Sequence, residues 1–276
     1  MPDPYFADDT VSLYLGDCRE VLPALGVTAD LVLADPPYGE TSLAWDRWPD
    51  GWLQAAAAIT KSLWCFGSMR MFGERWPDFG RANWKLSQDL IGADSGDDPV
   101  FGDVHVVWEK NTGTGRATDR FRRVHEHVLH WYQGAWGGVY HETPRVPATP
   151  EQIARNGSAV RTSTGTAHTG NYGARAGWGE TGVRLMRSVI RTPTMRGKAI
   201  HPTEKPAEPL LRPLVEYACP PGGLVVDPFT GSGSTLAAAR MSGRRAIGIE
   251  ANEKYAEKAA QRLAQAPLDF EEVAHA

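Results

Sequence analysis

Two segments near the ends of the chain share an alternation of strand-like and helix-like residues. In the first, Val11–Leu15 alternates apolar and polar residues like a short strand, residues 19–25 have helical spacing, and residues 29–34 form a nearly continuous apolar run. Such a run is typical of a strand covered on both faces in a parallel sheet, and it delivers Asp35 at its carboxyl end. A strand, a helix and a strand in succession predict a right-handed crossover in an α/β sheet.

The second segment repeats this pattern toward the carboxyl terminus. It comprises a helical segment at 208–218, a turn at 220–223, a strand at 224–226, a Gly-rich loop at 227–233, a helix at 235–242, a strand at 245–250 and an amphipathic helix at 252–264. The two ends therefore predict halves of one doubly wound α/β fold, with a mostly parallel sheet and helices on both faces.

The middle of the chain is less regular. Its pattern predicts a helix at 52–58 and strands at 62–66, 104–108 and 126–132. Residues 134–197 are rich in Gly, Thr, Ala and Arg without strong periodicity, which indicates a long loop or a small subdomain. We therefore divide the chain into 1–133, an insertion at 134–200, and 201–276, with the first and last parts belonging to one domain.

Composition narrows the class of protein. No apolar run approaches the roughly 20 residues that span a bilayer, and the first residues lack the features of a signal peptide, so we expect a cytoplasmic protein. The three cysteines, Cys18, Cys65 and Cys219, lie far apart without CxxC spacing, which predicts reduced thiols.

Charge is unevenly distributed along the chain. The formal net charge is −4, but residues 110–205 hold 15 Lys and Arg against 6 Asp and Glu, whereas the remainder holds 14 against 27. A basic middle on an acidic body is what a DNA-facing insertion would show, because phosphates need local Lys and Arg. The alternative is a solvated, Arg-rich loop.

The loop after the strand at 224–226 has the form of a ligand-binding turn. Asp227 is followed by Phe229, Gly231 and Gly233, and a helix begins at Ser234 or Thr235. Glycines let the backbone approach a ligand closely. The third glycine of a dinucleotide fingerprint and the Gly-Lys-Ser/Thr of a phosphate loop are both absent, so a plain tight turn is the alternative. Glu250, about 20 residues on, ends the next strand, where a carboxylate can accept both ribose hydroxyls of a nucleoside cofactor.

The tetrad Asp35-Pro36-Pro37-Tyr38 suits an amine substrate. The two prolines fix their φ angles and remove two N–H donors, so the turn presents acceptors only. Hydrogen bonds from a conjugated exocyclic amine to the Asp35 carboxylate and the Pro36 carbonyl would favour the tetrahedral nitrogen needed for attack. Tyr38 offers a ring face for an extruded base. The alternative is a Pro-rich turn without a ligand.

Weaker candidates lie elsewhere. Strand alternation places His125 and His127 on one face and His130 on the other, so we expect no metal site. Trp45 and Trp48 follow the tetrad and either close over a base or belong to the core. Four arginines of the basic middle are candidates for phosphate contacts, with a solvated face as the alternative: Arg116, Arg120, Arg122 and Arg123.

In their order along the chain, these segments resemble the amino-methylating DNA methyltransferases of the β arrangement, in which DPPY precedes the target-recognition region and an FxGxG loop comes last. The resemblance covers most of the chain, at residues 16–18, 35–38, 108–110, 122–127, 201–206, 227–235 and Glu250. It implies a Rossmann-like methyltransferase fold with a circularly permuted, seven-stranded sheet, and S-adenosyl-L-methionine as the cofactor.

The resemblance also implies roles for individual residues. Five would line the methionine and adenosine portions of the cofactor: Phe229, Gly231, Gly233, Ser234 and Thr235. Asp227 would bind its amino end, Glu250 its ribose, Asp17 its adenine, and Lys205 its methionine carboxylate. Asp35 to Tyr38 would be catalytic.

The implied reaction is methylation of adenine N6 in double-stranded DNA after base flipping. Adenine is preferred because the family's cytosine-N4 members more often carry Ser at the position of Asp35, yet DPPY also occurs among the cytosine enzymes. An RNA base or a protein amide is a second alternative, although those relatives usually carry the cofactor loop first and Asn in place of Asp35. A catalytically idle DNA-binding protein is a third. Family members are often dimers, which makes a homodimer one option. The sequence has no nuclease motif, which indicates a stand-alone methyltransferase, with a separate restriction partner as the alternative.

Overall fold

The computed structural model describes residues 2–87, 105–114, 119, 121–156, 182–195 and 204–265. The chain divides into two compact units, one formed by residues 1–142 and 188–276 and the other by residues 143–187. The larger unit is built from both ends of the chain, which lie in one sheet.

The strands of the structure, in chain order, are β1 (Phe6–Ala7), β2 (Val11–Leu15), β3 (Leu31–Ala34), β4 (Ser62–Gly67), β5 (Lys85–Leu86), β6 (His105–Thr114), β7 (Arg123–Tyr132), β8 (Arg145–Pro147), β9 (Val183–Leu185), β10 (Val189–Arg191), β11 (Leu224–Asp227) and β12 (Arg245–Glu250). The main sheet has the order β1-β2-β12-β11-β3-β4-β7-β6-β10, and β5 pairs with β7. The central strands β3 and β11 are buried along their whole length, as their apolar sequences require.

The α/β fold class with a mostly parallel sheet is confirmed. In the sheet order β2-β12-β11-β3-β4, all neighbouring strands are parallel. Strand β7 runs antiparallel to both of its long neighbours, β4 and β6. The expected count of seven strands is too small, because the main sheet has ten strands in the described part of the chain. The three further strands, β1, β5 and β10, have two or three residues each and lie outside the central seven, so they are too short to give a periodic signal.

The helices are α1 (Cys18–Leu25), α2 (Trp52–Ile59), α3 (Met69–Arg81), α4 (Pro150–Asn156), α5 (Arg212–Ala218), α6 (Ser234–Met241) and α7 (Glu253–Ala264), and a π-helical turn (Ala207–Leu211) precedes α5. Helix α7 illustrates how they form. The Asn252 side chain accepts a hydrogen bond from the Lys254 amide at 3.0 Å, and Ala256, Ala259 and Leu263 share the buried face. The sequence pattern predicted every helix of the larger unit except α3.

Helix α3 contains Gly73, Pro77 and Gly80, which disfavour helix in isolation. It is stabilised instead by its Ser68 cap, which accepts from the Met71 amide at 3.0 Å, and by burial of Phe72 and Phe79 against the sheet. Tertiary packing therefore overrides the local signal.

The smaller unit, residues 143–187, contains the antiparallel pair β8–β9 and helix α4 in its described part. It falls inside the insertion predicted at 134–200. Its short elements explain why that stretch lacked periodicity.

Two further observations concern the whole of the described chain. No helix there is both long and apolar enough to cross a bilayer. All three cysteines are buried and form no disulfide.

Candidate active site

Three carboxylates meet at the carboxyl edge of the parallel strands. Asp35 follows β3 directly, Asp227 ends β11, and Glu250 ends β12. Because β11 pairs in parallel with both β3 and β12, these three ends lie on adjacent strands at one edge. In open α/β sheets this edge is where ligands bind.

A cavity of about 640 Å³ opens at this edge. It is lined by nearly all the predicted catalytic and cofactor-binding residues, namely Asp17, Asp35, Pro36, Pro37, Tyr38, Lys205, Asp227, Phe229, Gly231, Ser234, Thr235 and Glu250. Gly233 is the exception. It is buried with φ of +80°, at the start of α6, where it lets the chain turn into the helix.

The tetrad forms a compact acceptor site. The Tyr38 hydroxyl donates a hydrogen bond to Asp35 Oδ1 at 2.7 Å, which ties the ring to the carboxylate. Burial raises the pKa of Tyr38 well above its usual value, and the nearby Asp35 carboxylate raises it further, so the phenol stays a donor. The Asp35 side chain keeps 24% of its surface exposed toward the cavity.

The second oxygen of Asp35 is engaged by a lysine. Lys205 Nζ donates to Asp35 Oδ2 and lies 3.5 Å from Glu126 Oε2. Glu126 in turn accepts from Lys110. The resemblance described above implied that Lys205 binds a methionine carboxylate, whereas the structure pairs its ammonium with Asp35.

The Gly-rich loop is fastened to β12. The Thr230 amide donates to the Ile249 carbonyl at 2.9 Å, and the Gly231 amide donates to Glu250 Oε2 at 2.7 Å. Glu250 Oε1 accepts from the Asn252 amide at 2.8 Å. A carboxylate offers about four acceptor positions, so Glu250 keeps acceptor capacity toward the cavity.

Asp227 lies at the floor of the cavity with 4% of its surface exposed. Burial raises its pKa to about 7, while hydrogen bonds from Thr235 and from the Phe229 amide, the latter at 2.9 Å, oppose the shift. A buried carboxylate of this kind gains most from a cationic neighbour.

Phe229 and Asp17 both line the cavity. The Phe229 ring meets the buried Trp52 edge-on, with centroids 5.2 Å apart, so α2 supports its position. Asp17 caps α1, accepting from the Arg19 amide at 2.9 Å, and the Arg19 guanidinium also binds its carboxylate. The Arg19 hydrogen bond lowers the pKa of Asp17.

The four candidate DNA-binding arginines are only partly within the described residues. Arg116 and Arg120 lie outside them. Arg122 is exposed immediately before β7, and Arg123 lines the cavity, with its guanidinium 3.6 Å from Glu40.

Several cavity residues were not identified from the sequence. Buried Asp46 accepts from the amides of Gly39 (2.8 Å) and Thr41 (2.7 Å), which folds the loop after the tetrad and places Trp45 at the cavity wall. Only the short sequence distance between Asp46 and the tetrad could have suggested this role.

A second missed contact joins Glu204 to α7. Arg262 binds Glu204 Oε1 at 2.9 Å and the Ser234 hydroxyl at 3.0 Å, so it links the segment that carries Lys205 to the start of α6. No sequence signal connects residues so far apart.

The histidines are arranged as strand alternation predicted. His127 Nδ1 lies 2.7 Å from His105 Nε2 on one face, whereas buried His130 contacts the Ser62 hydroxyl at 3.0 Å on the other. Among the described residues, no group of three His, Cys, Asp or Glu side chains has the arrangement of a metal site.

Sequence comparison matches residues 29–261 to the DNA methylase family, whose members are of the N6/N4 methyltransferase type. Type II methyltransferase M.HinfI of Haemophilus influenzae is 27% identical over 277 aligned residues, which cover 90% of this chain and 67% of that protein. YubD of Escherichia coli (strain K12), a presumed methylase by its name, is 54% identical over 68 residues, or 25% of this chain and 30% of YubD.

Solved structures share the fold. The M1.HpyAVI–SAM complex has a TM-score of 0.58 at 18% identity and covers 91% of this chain and 99% of that one. The PvuII DNA methyltransferase (cytosine-N4-specific) has a TM-score of 0.60 at 13% identity, covering 96% and 90%. With the family match spanning most of the chain and the expected edge of the sheet holding the cavity, the protein belongs to the DNA methylase family.

Proposed function

We propose that the protein transfers a methyl group from S-adenosyl-L-methionine to the exocyclic amine of a flipped-out base in double-stranded DNA. The observation that carries this proposal is that one cavity holds both the acceptor turn at Asp35 and the carboxylates Asp227 and Glu250. The turn that can bind the amine of the target base therefore adjoins a second site. That second site suits the cofactor, which contains a nucleoside and an amino group of its own. Family membership and the SAM bound in the M1.HpyAVI complex support the same assignment.

The residues present fit such a cofactor. The cavity of about 640 Å³ lies within the range of about 300–1,000 Å³ that small-molecule sites occupy. Glu250 has acceptor capacity for ribose hydroxyls, Asp227 is a buried carboxylate that a cationic amine would stabilise, and Phe229 is an apolar wall. We further propose that Asp17 contacts the adenine and that Gly231, Gly233, Ser234 and Thr235 shape the loop around the cofactor.

When bound, the cofactor supplies a methyl group on a positively charged sulfur. The protein's part is to prepare the attacking nitrogen. Asp35 and the Pro36 carbonyl accept hydrogen bonds from the amine, which localises its lone pair, and Tyr38 stacks against the base. As the new N–C bond forms, the bond between the methyl carbon and sulfur would break with its electron pair left on sulfur, and the Asp35 carboxylate accepts the proton that the nitrogen releases. Pro36 and Pro37 keep the turn rigid.

We propose adenine N6 as the target atom, because Asp35 occupies the position where cytosine-N4 members of the family more often carry Ser. Cytosine N4 is the second candidate. The likeness to a cytosine-N4-specific structure at 13% identity supports the fold and carries no information on the base.

DNA would approach from the basic middle of the chain. We propose that Arg122 and Arg123 contact phosphates, together with Arg116 and Arg120, and that the insertion at 134–200 contributes target recognition. The excess of positive charge between residues 110 and 205 supports this assignment.

The test is transfer of labelled methyl to unmethylated DNA, followed by nucleoside analysis, with Asp35→Ala as the inactive control. N6-methyladenine from the wild type alone supports the proposal. N4-methylcytosine would correct the base, and cofactor binding without transfer to DNA would refute the substrate.

A further inference from the structure

Four side chains of alternating charge form a row that begins at Asp35 of the tetrad. Asp35 pairs with Lys205, Lys205 lies 3.5 Å from Glu126, and Glu126 pairs with Lys110. The Lys205 and Glu126 side chains expose only 7% and 18% of their surfaces, and the rings of Phe66 and Trp108 flank the Lys205 ammonium at 5.1 and 5.9 Å. The row is therefore largely removed from solvent.

The antiparallel direction of β7 places Glu126 at this edge. Ala34 pairs with Cys65 across β3 and β4, and Phe66 pairs with Val128 across β4 and β7. Because β7 runs opposite to β4, its early residues lie at the carboxyl edge of the parallel strands. Asp35, which follows Ala34, is level with Phe66 and Val128, so Glu126 lies two positions farther out at this edge, where Lys205 bridges it to Asp35.

Fold stability does not account for this row. Taking charges out of water is costly, and well-packed apolar residues of similar volume often stabilise a protein as much or more. Instead, the row ends on the carboxylate that receives the amine. Tyr38 fixes one oxygen of Asp35 and Lys205 fixes the other, so the plane of the carboxylate is set by two donors.

Glu126 determines where the Lys205 ammonium lies. Lys205 is faced by Asp35 from the loop after β3 and by Glu126 from β7, while Lys110 from β6 balances Glu126. Glu126→Gln would remove one of the two carboxylates that face Lys205 in the described residues and leave Asp35 as the other. The ammonium, which already donates to Asp35 Oδ2, would then lose its attraction to Glu126 and cover further acceptor positions of Asp35 that the amine needs.

Resting on the proposed function, we infer that Glu126 is a positioning residue for methyl transfer, holding Lys205 so that Asp35 keeps its orientation and its free acceptor positions. Burial lowers the pKa of Lys205, but the Asp35 and Glu126 carboxylates raise it more, so the ammonium stays charged. If Lys205 instead served to hold the cofactor, a change at Glu126 would alter cofactor binding rather than the transfer rate.

The first experiment separates these roles by kinetics. Glu126→Gln should lower the single-turnover methyl-transfer rate by about tenfold to a hundredfold, as expected for a partner that orients a reacting group, and leave cofactor Kd unchanged. Glu126→Asp, which keeps the charge, should recover part of the rate. Glu109→Gln is the matched control, because Glu109 lies on neighbouring β6 and pairs with exposed Arg191. Weakened cofactor binding at an unchanged rate would overturn the inference.

The second experiment needs no turnover and remains decisive if the wild type leaves DNA unmethylated. The Cε resonance of ¹³C-labelled Lys205, assigned by its loss in Lys205→Met, is titrated in the holoprotein and in the Glu126 variants. Glu126→Gln should move the titration of Lys205 to lower pH, whereas Glu126→Asp should move it less. An unmoved titration would show that Glu126 does not act on Lys205. If Glu126→Gln fails to fold, the titration of Lys205 is compared between Glu126→Asp and the control Glu109→Gln. Identical Lys205 titrations in these two variants would contradict the inference.

Discussion

The Tyr38 hydroxyl and Asp35 Oδ1 are joined by a hydrogen bond of 2.7 Å, so each side chain orients the other. We expect Tyr38→Phe to retain stacking and to cost less than about tenfold in the transfer rate, or about 1.4 kcal/mol. Tyr38→Ala removes the ring as well and should cost about 1–3 kcal/mol more, as base–aromatic stacking does. Single-turnover rates at saturating cofactor measure both, and equal losses in the two variants would argue against stacking.

Asp227 should make the stability of the cofactor-free protein depend on pH. Its pKa is raised to about 7 in the folded state, against about 3.9 for an unfolded chain. The stability that Asp227 contributes is therefore fully present below about pH 4, where the carboxyl is protonated in both states. It is lost as the pH rises through about 7, and the ionised carboxylate then lowers the free energy of unfolding by about 4 kcal/mol.

Asp227→Asn removes this titration. We expect the melting temperature of the variant to exceed that of the wild type above about pH 7, and the difference to vanish below about pH 4. Thermal unfolding followed by fluorescence across this range gives the answer. A constant offset at every pH would mean that Asp227 does not titrate as proposed. Cofactor affinity of the variant should fall, since the amino group loses its counter-charge.

Glu250 fastens the glycine loop and, as proposed, receives the ribose. Glu250→Gln replaces one acceptor oxygen by a donor that faces the amide of Gly231 or Asn252, so cofactor Kd should rise by about tenfold or more. Calorimetric titration with the cofactor measures this change. The control is Glu253→Gln, an exposed residue at the start of α7, and an equal response of both variants would count against a ribose contact.

Asp46 should govern the loop after the tetrad. Asp46→Ala deprives the Gly39 and Thr41 amides of their acceptor, so their hydrogen exchange should accelerate. We expect the transfer rate to fall while cofactor Kd stays constant, because the cofactor loop is fastened separately to β12. Protection factors that match the wild type would show that the loop is ordered by other contacts.

Arg122 is expected to contact a phosphate. Arg122→Ala should then reduce the slope of log K against log salt concentration by about 0.9, the contribution of one phosphate. Fluorescence anisotropy with labelled duplex DNA at several salt concentrations measures the slope. Arg70→Ala, at an exposed position of α3, is the matched control and should leave the slope unchanged.

The sequence indicated the parts of the site that lie at strand ends. Asp35 follows one apolar strand and Glu250 ends another, and parallel strands bring such ends to one edge, so their proximity could be predicted from local pattern alone. The Gly231 turn was likewise visible, because its glycines punctuate a strand and a helix.

Contacts between segments that are far apart in the sequence could not be predicted from the local pattern of residues. Glu126 reaches Lys205, the partner of Asp35, because β7 runs antiparallel, and strand direction is not encoded in the alternation of β7 residues. Arg262 and Glu204 meet across 58 positions of sequence. Helix α3 was missed for the opposite reason: its glycines and proline oppose helix locally, and burial of Phe72 and Phe79 decides the outcome.

The smaller unit leaves the larger one after Glu142 and rejoins it at Ser188. Both junctions are anchored within the larger unit, since the Glu142 amide donates to the Tyr217 carbonyl and the Ser188 carbonyl accepts from Val107, each at 2.8 Å. Because both junctions are held by hydrogen bonds within the larger unit, the segment between them can be replaced without moving its ends. Grafting another sequence between these anchors should therefore leave the transfer chemistry intact, and, on the proposal that the insertion contributes target recognition, it should change the DNA sequence that is methylated.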